Sequence, residues 1–156
     1  MKRVLFVISV LLSLGVFCAC SDDDSWGNID EYQSNQEQLY NTWQLIGYGS
    51  ETHFHKIAEE YRKKSETYGS RFYLIFKPDG TLKGRDAVNQ IYGNYTCNGS
   101  KIAIEELLST YINDEEKDSR EFIGRLQDAK NYLIKDGKKL RLYYSDKEFL
   151  YFELMD

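Results

Sequence analysis

Residues 71–84 read RFYLIFKPDGTLKG, and this stretch decides the fold. Phe72, Leu74 and Phe76 alternate with Tyr73 and Ile75, so successive side chains leave a strand on opposite faces. Pro78-Asp79-Gly80 then reverses the chain: proline presets φ, and glycine accepts a positive one. Thr81 to Gly84 returns as the second strand of a hairpin. An antiparallel β domain is the expectation.

The same grammar extends both ways. Upstream, NTWQLIGY (Asn41 to Tyr48) mixes aromatic and branched residues and ends at Gly49. Downstream, Ile91 to Cys97 and Lys101 to Glu105 flank Asn98-Gly99, a strong short hairpin signal. Tyr132 to Lys135, Lys139 to Ser145 and Glu148 to Leu154 follow, with turns at Asp136-Gly137 and Asp146-Lys147. Two stretches break the pattern. Residues 118–130 place Phe122, Ile123, Leu126 and Ala129 at helical spacing, opened by Asp118 and Glu121 as a capping box. Phe54, Ile57, Ala58 and Tyr61 predict a shorter helix near 54–66. The fold class is therefore α+β, mainly β. One proline and no internal repeat point to a single domain over 39–156.

The N-terminus carries an address. Lys2 and Arg3 precede an almost wholly apolar run from Val4 to Phe17, and Ala19 stands before Cys20. This is the layout of a secretory signal over residues 1–19, too short for a membrane-spanning helix of about 20 apolar residues. Phe17-Cys18-Ala19-Cys20 resembles the bacterial lipoprotein signal, in which cleavage falls just before a cysteine that is then acylated. Leu is usual where Phe17 stands. Cys18 is the weaker candidate, since bulky Phe17 would adjoin the cut, so Cys20 is the expected lipid attachment site. Several acyl chains hold a protein at a membrane where one does not. The resemblance implies an outer-membrane lipoprotein whose membrane partner is reached through the lipid. A metal site at Cys18 and Cys20 is not supported, because no downstream Cys or His pair completes four ligands. Residues 21–38 read as an acidic, flexible tether of about 20–25 Å end to end. Asp22-Asp23-Asp24 resembles a surface-export signal of some Gram-negative lineages or is a solvated linker, which leaves the choice of leaflet open.

Loss of Lys2 and Arg3 takes the formal charge from −5 to −7, an acidic surface that disfavours nucleic acid. Beyond Cys20 only Cys97 remains, so no intramolecular disulfide is expected, and Cys97 reads as a small buried residue. His53 and His55 are the only histidines, and no spacing fixes further ligands around them. Glu105-Glu106 and Asp114-Glu115-Glu116 read as solvated charges rather than paired catalytic acids. Nucleophile-elbow, zinc-protease and phosphate-loop motifs do not occur. No catalytic residue, metal or cofactor is assigned, and the expectation is a non-enzymatic protein.

Strand alternation divides the aromatic residues. Phe72, Leu74, Phe76, Ile102, Ile104, Leu140, Leu142, Leu150, Phe152 and Leu154 can fill an inward face. Tyr73, Ile75, Tyr95, Tyr143, Phe149 and Tyr151 are left on the other. Either the helix from Asp118 covers that second face, or Tyr73, Tyr95, Tyr143 and Tyr151 line a groove for a small apolar ligand or an envelope protein partner.

The ordered set NTWQLIGY, YLIFKPDGTLKG, NQIYGNYTCNGSKIAI, LLSTY, EFIGRLQDAKNYLIKDGKKLRLYY and EFLYFEL resembles the META/HslJ-like domain family from Tyr40 to the end. The matching positions are Trp43; Phe76, Asp79 and Gly80; Asn89, Gly93 and Tyr95; Ser109 and Thr110; and Phe122 and Leu126. The chain departs from the family by inserting residues 50–70 and by lacking the cysteine that often follows the Ser-Thr. The resemblance implies a small antiparallel, partly open barrel interrupted by a helix. It implies an envelope protein with a binding or stress-accessory role, and it transfers no catalytic residue. The alternative is a carrier with an apolar ligand inside the barrel or in the Tyr-lined groove.

Overall fold

The structure is a computed structural model that describes residue 26 and residues 35–62, 69–110 and 117–155. The signal segment, Cys20 and the acidic run 114–116 lie outside the described residues. Nine strands are described: β1 (Thr42–Gly49), β2 (Phe54–Lys56), β3 (Tyr73–Phe76), β4 (Thr81–Arg85), β5 (Gln90–Asn98), β6 (Lys101–Ser109), β7 (Asn131–Lys135), β8 (Lys139–Tyr143) and β9 (Phe149–Leu154). Three helices accompany them: α1 (Gln36–Leu39), α2 (Glu59–Arg62) and α3 (Lys117–Gln127). All pairings are antiparallel, in the order β2-β1-β3-β4-β5-β6-β7-β8-β9, and β9 returns to β1. The sheet thus closes on itself in a ring, although not as a regular barrel, and closure removes most of its free edges.

Turn chemistry sets the register. Gly80 takes φ +81° after Pro78, its N–H donates to the Lys77 carbonyl at 3.1 Å, and the Asp79 carboxylate accepts from Thr81 N and Oγ1 at 2.9 and 2.6 Å. Asp136 and Gly137 both take positive φ, the pair a tight twisted hairpin demands. At the β5–β6 hairpin Asn98 pairs with Lys101, so Gly99 and Ser100 are the central residues, one position later than the Asn-Gly signal suggests. β6 also runs four residues beyond the expected Glu105. The register shift near Gly93 and the left-handed Glu106 absorb the irregularity.

The ring has one weak seam. β6 and β7 share a single pair, Lys101 with Asn131, and α3 fills the gap. Phe122 and Leu126 on α3 are fully buried, and Phe122 meets both Phe72 and Phe152 at 6.2 Å between ring centres. The remaining interior is Trp43, Leu45, Leu74, Phe76, Leu82, Ile91, Tyr95, Ile102, Tyr132, Ile134, Leu140, Leu142, Leu150 and Phe152. These interior positions are held by large aromatic and branched side chains. Trp43 also donates from Nε1 to the Leu39 carbonyl at 3.0 Å, which ties α1 and its buried Leu39 to the ring.

Both expected helices are present with shifted limits. α3 ends at Gln127 rather than 130, and its Asp118, inside the helix, binds the Tyr48 and His55 side chains. Among the described residues of the 54–66 stretch, Glu59–Arg62 is helical, and Phe54–Lys56 is a strand paired with β1. The open edge of β1 beside Gly47 and Gly49 offers ladder hydrogen bonds that local helical spacing cannot foresee. Residues 63–66 lie outside the described set.

The buried Asn89 explains part of the family pattern. Asp86 accepts from Val88 N at 2.8 Å and from Asn89 N at 2.5 Å, and Asn89 Oδ1 accepts from Thr110 Oγ1 at 3.3 Å. This corner fastens the start of β5 to the end of β6.

Candidate functional site: an aromatic groove around Arg141

On β8, Leu140 and Leu142 point inward, so Lys139, Arg141 and Tyr143 point outward. On β9 the outward residues are Phe149 and Tyr151. Opposite those two aromatics β1 carries Gly49 and Gly47, and beyond the glycines lies β2. With no side chain in the way, Phe54 reaches across β1, and its ring centre stands 6.1 Å from that of Phe149 and 6.2 Å from that of Tyr151. A Cβ at Gly47 would come within 2.6 Å of the Phe54 ring. Leu133 on β7 completes an outer apolar cluster with Tyr143 and Phe149.

Arg141 sits in the middle of this face and is only 8% exposed. Its guanidinium carbon lies 3.9 Å from the Phe149 ring centre and 4.1 Å from that of Trp26. Cation–π contacts of this kind are worth more as water is excluded. Nη1 donates to Glu51, whose side chain is 69% exposed, while the buried Nε has no hydrogen-bond partner among the described residues. Trp26 belongs to the expected tether, yet it packs edge-on against Tyr151 at 6.1 Å. Trp26, Ser50, Glu51, Phe54, Lys139, Arg141, Phe149 and Tyr151 enclose a groove of about 350 Å³.

The four candidate tyrosines divide. Tyr151 lines the groove, and Tyr143 packs beneath it against Phe149 at 5.6 Å. Tyr73 is on the outer face but pairs with Gln44 and Arg85, on the far side of β1 from Tyr151. Tyr95 is not on that face at all. It is 4% exposed in the interior, edge-on to Phe76 at 5.0 Å, and its hydroxyl donates to the Lys77 carbonyl at 2.6 Å. Burial pushes its phenol well above the usual range. The parity of β5 carries the signal, because Asn94, Thr96 and Asn98 take the outer positions and leave Ile91 and Tyr95 inside. The sequence gives less warning of Arg141, since its partners arrive from residues 26 and 51, far away along the chain.

The histidines serve separate ends. His55 Nε2 bonds Asp118 at 2.9 Å, and its ring lies 4.8 Å from that of Tyr48. Tyr48 donates to the same Asp118 oxygen at 2.7 Å, while Arg125 lies over its ring at 4.4 Å. Burial, followed by the Asp118 carboxylate, raises the Tyr48 phenol far above its ordinary value. This network pins β2 to α3. His53 instead bonds its neighbour Thr52 at 2.9 Å. Cys97 is half-buried, and burial pushes its thiol up to about 11. Glu105 and Glu106 are exposed, and the Glu106 carboxylate accepts from Asn94 at 2.7 Å.

Comparison with solved structures places the ring in known company. A DUF4847 family protein from Bacteroides vulgatus matches with a TM-score of 0.55 and 19% identity, over 78% of this chain and 98% of its own. A protein from Burkholderia xenovorans matches with a TM-score of 0.57 and 14% identity, over 86% and 96% respectively. At these identities the likeness is one of fold. No curated protein matches the sequence. The META domain pattern matches residues 37–156, so the chain belongs to the META domain family.

Proposed function

We propose that this META-domain protein is held at the outer membrane by lipid on Cys20 and acts without catalysis, as a binding protein whose site is the aromatic groove around Arg141. The observation that carries the reading is that groove: about 350 Å³, walled by aromatic rings, with a buried cation at its base. Concave aromatic pockets with a few convergent polar groups are the usual form of a small-molecule site. The stretch by which the chain departs from its family supplies Ser50, Glu51 and Phe54. A ligand inside the ring is the weaker alternative, because the interior positions are occupied by large side chains.

Two measurements test the parts. A palmitate analogue should label the wild type and Cys18→Ala but not Cys20→Ala, and labelling that survives Cys20→Ala removes the anchor. Native mass spectrometry of the domain released from its own envelope should show a bound small molecule that is lost in Phe54→Ala. A bare protein, or retention in that variant, argues against the groove.

A further inference from the structure

We infer that the groove selects a ligand bearing a carboxylate on an aromatic or apolar body, with Arg141 as the recognising group; this rests on the binding function proposed above. A buried charge must be paired, and its pairing partner here is unusual. Glu51 comes from the turn before β2, is 69% exposed, and engages Nη1 alone. The Nε–H, which forks with Nη2 and not with Nη1, is buried and has no acceptor among the described residues. Guanidinium binds carboxylate best by two parallel hydrogen bonds from a planar fork, and Glu51 on Nη1 leaves the Nε–Nη2 fork unused. That fork is the place for an anion that enters from solvent, beside the Glu51 charge. Lys139 stands two residues earlier on the same face of β8 and adds positive charge to the wall of the groove. Phe54, Phe149 and Tyr151 offer ring surface to whatever carries the anion. A neutral aromatic ligand would leave the Nε–H unsatisfied, and a bare anion would leave the rings unused.

The obvious rival is that Glu51 and Arg141 merely fasten the β1–β2 turn to the sheet. The two ideas differ in what Glu51→Gln does. If the free fork takes the ligand anion, removing the neighbouring Glu51 charge lowers like-charge repulsion and tightens anion binding. If it is a fastener, removing it loosens the turn and creates no affinity. Glu51 is exposed, so this variant keeps its fold where Arg141→Gln carries more risk.

The test titrates the chain from residue 21 onward, which keeps Trp26, with naphthoate, with naphthamide and with acetate, following the Arg141 Nε–H and Trp26 Nε1–H signals by NMR. Naphthoate should shift both signals and bind about ten- to a hundredfold more tightly than naphthamide, the range expected for hydrogen bonds to a charged group. Acetate should bind far more weakly than naphthoate. Glu51→Gln should tighten naphthoate about threefold or more, and Arg141→Lys should lose about tenfold because a point charge replaces the fork. Equal binding of naphthoate and naphthamide in the groove overturns the carboxylate inference and leaves the binding function standing. Weaker naphthoate binding in Glu51→Gln also overturns it. If neither probe moves a groove signal, both the inference and the groove as a binding site fall.

Discussion

Gly47 and Gly49 decide what the outer face of β1 can carry. Their missing side chains let Phe54 lie across the strand, and without that crossing the groove has no far wall. Gly47→Ala should push Phe54 aside and meet the His55 carbonyl, at a cost of about 1–3 kcal/mol by the usual toll of overpacking. Urea denaturation checks the cost, and the Phe54 ring signals check the displacement. Cys97 gives a second residue-scale outcome. Burial raises its thiol from an ordinary 9.0 to about 11, so the native fold favours the protonated form. The associated stability is full below about pH 9 and is lost as pH climbs towards 11, because the unfolded thiol ionises first. Iodoacetamide should label native Cys97 with a midpoint near 11, against 9.0 in urea. A native midpoint at 9.0 would mean that the thiol is open to water. At this scale the sequence reports long-range partners poorly. Tyr95, expected on the outer face, is interior, and its polar neighbours Asn94 and Thr96 are the signal that places it there. Arg141 is not legible as buried, because a lone cation on an outward position looks solvated until Trp26 and Glu51 arrive.

Among the elements, α3 carries the most consequence for the least length. It replaces the missing pairing between β6 and β7, where Lys101 and Asn131 are the single matched pair. Phe122→Ala should therefore cost about 3–5 kcal/mol, the usual range for deleting a buried aromatic ring. Thermal or chemical unfolding checks this, and a loss under about 1 kcal/mol would mean that α3 is not part of the core. The same seam predicts a contrast in hydrogen exchange. Amides of β6 between Ala103 and Ser109 that do not pair with β5 should exchange faster than those of β8, which pairs on both sides along its length. The helix itself is visible in the sequence, because Phe122, Leu126 and Ala129 repeat at helical spacing. The strand Phe54–Lys56 is not visible, since the same residues fit a helix equally well and only the edge of β1 chooses between the two.

In the molecule as a whole, support and the proposed recognition surface fall on opposite faces of one sheet. The ring, closed by β1 on β9 and stopped by α3, is packed with aromatic and branched side chains and serves as the scaffold. The proposed recognition surface is the outer face, where β8 and β9 of the ring meet β2 and the upstream Trp26. Alternation along the strands makes that division legible in outline, because it leaves a second apolar face that must be covered or used. Which residues meet there is set by closure of the ring and by the inserted stretch, and both are long-range facts. Xenon tests the division most directly, since it enters empty apolar cavities and shifts the methyl signals that line them. Under xenon pressure the methyls of Leu74, Leu82, Ile91, Leu140 and Leu142 should stay unmoved, with any shift confined to Leu133 on the outer face. Shifts at the interior methyls would reveal an empty chamber within the ring and return the binding site to the inside.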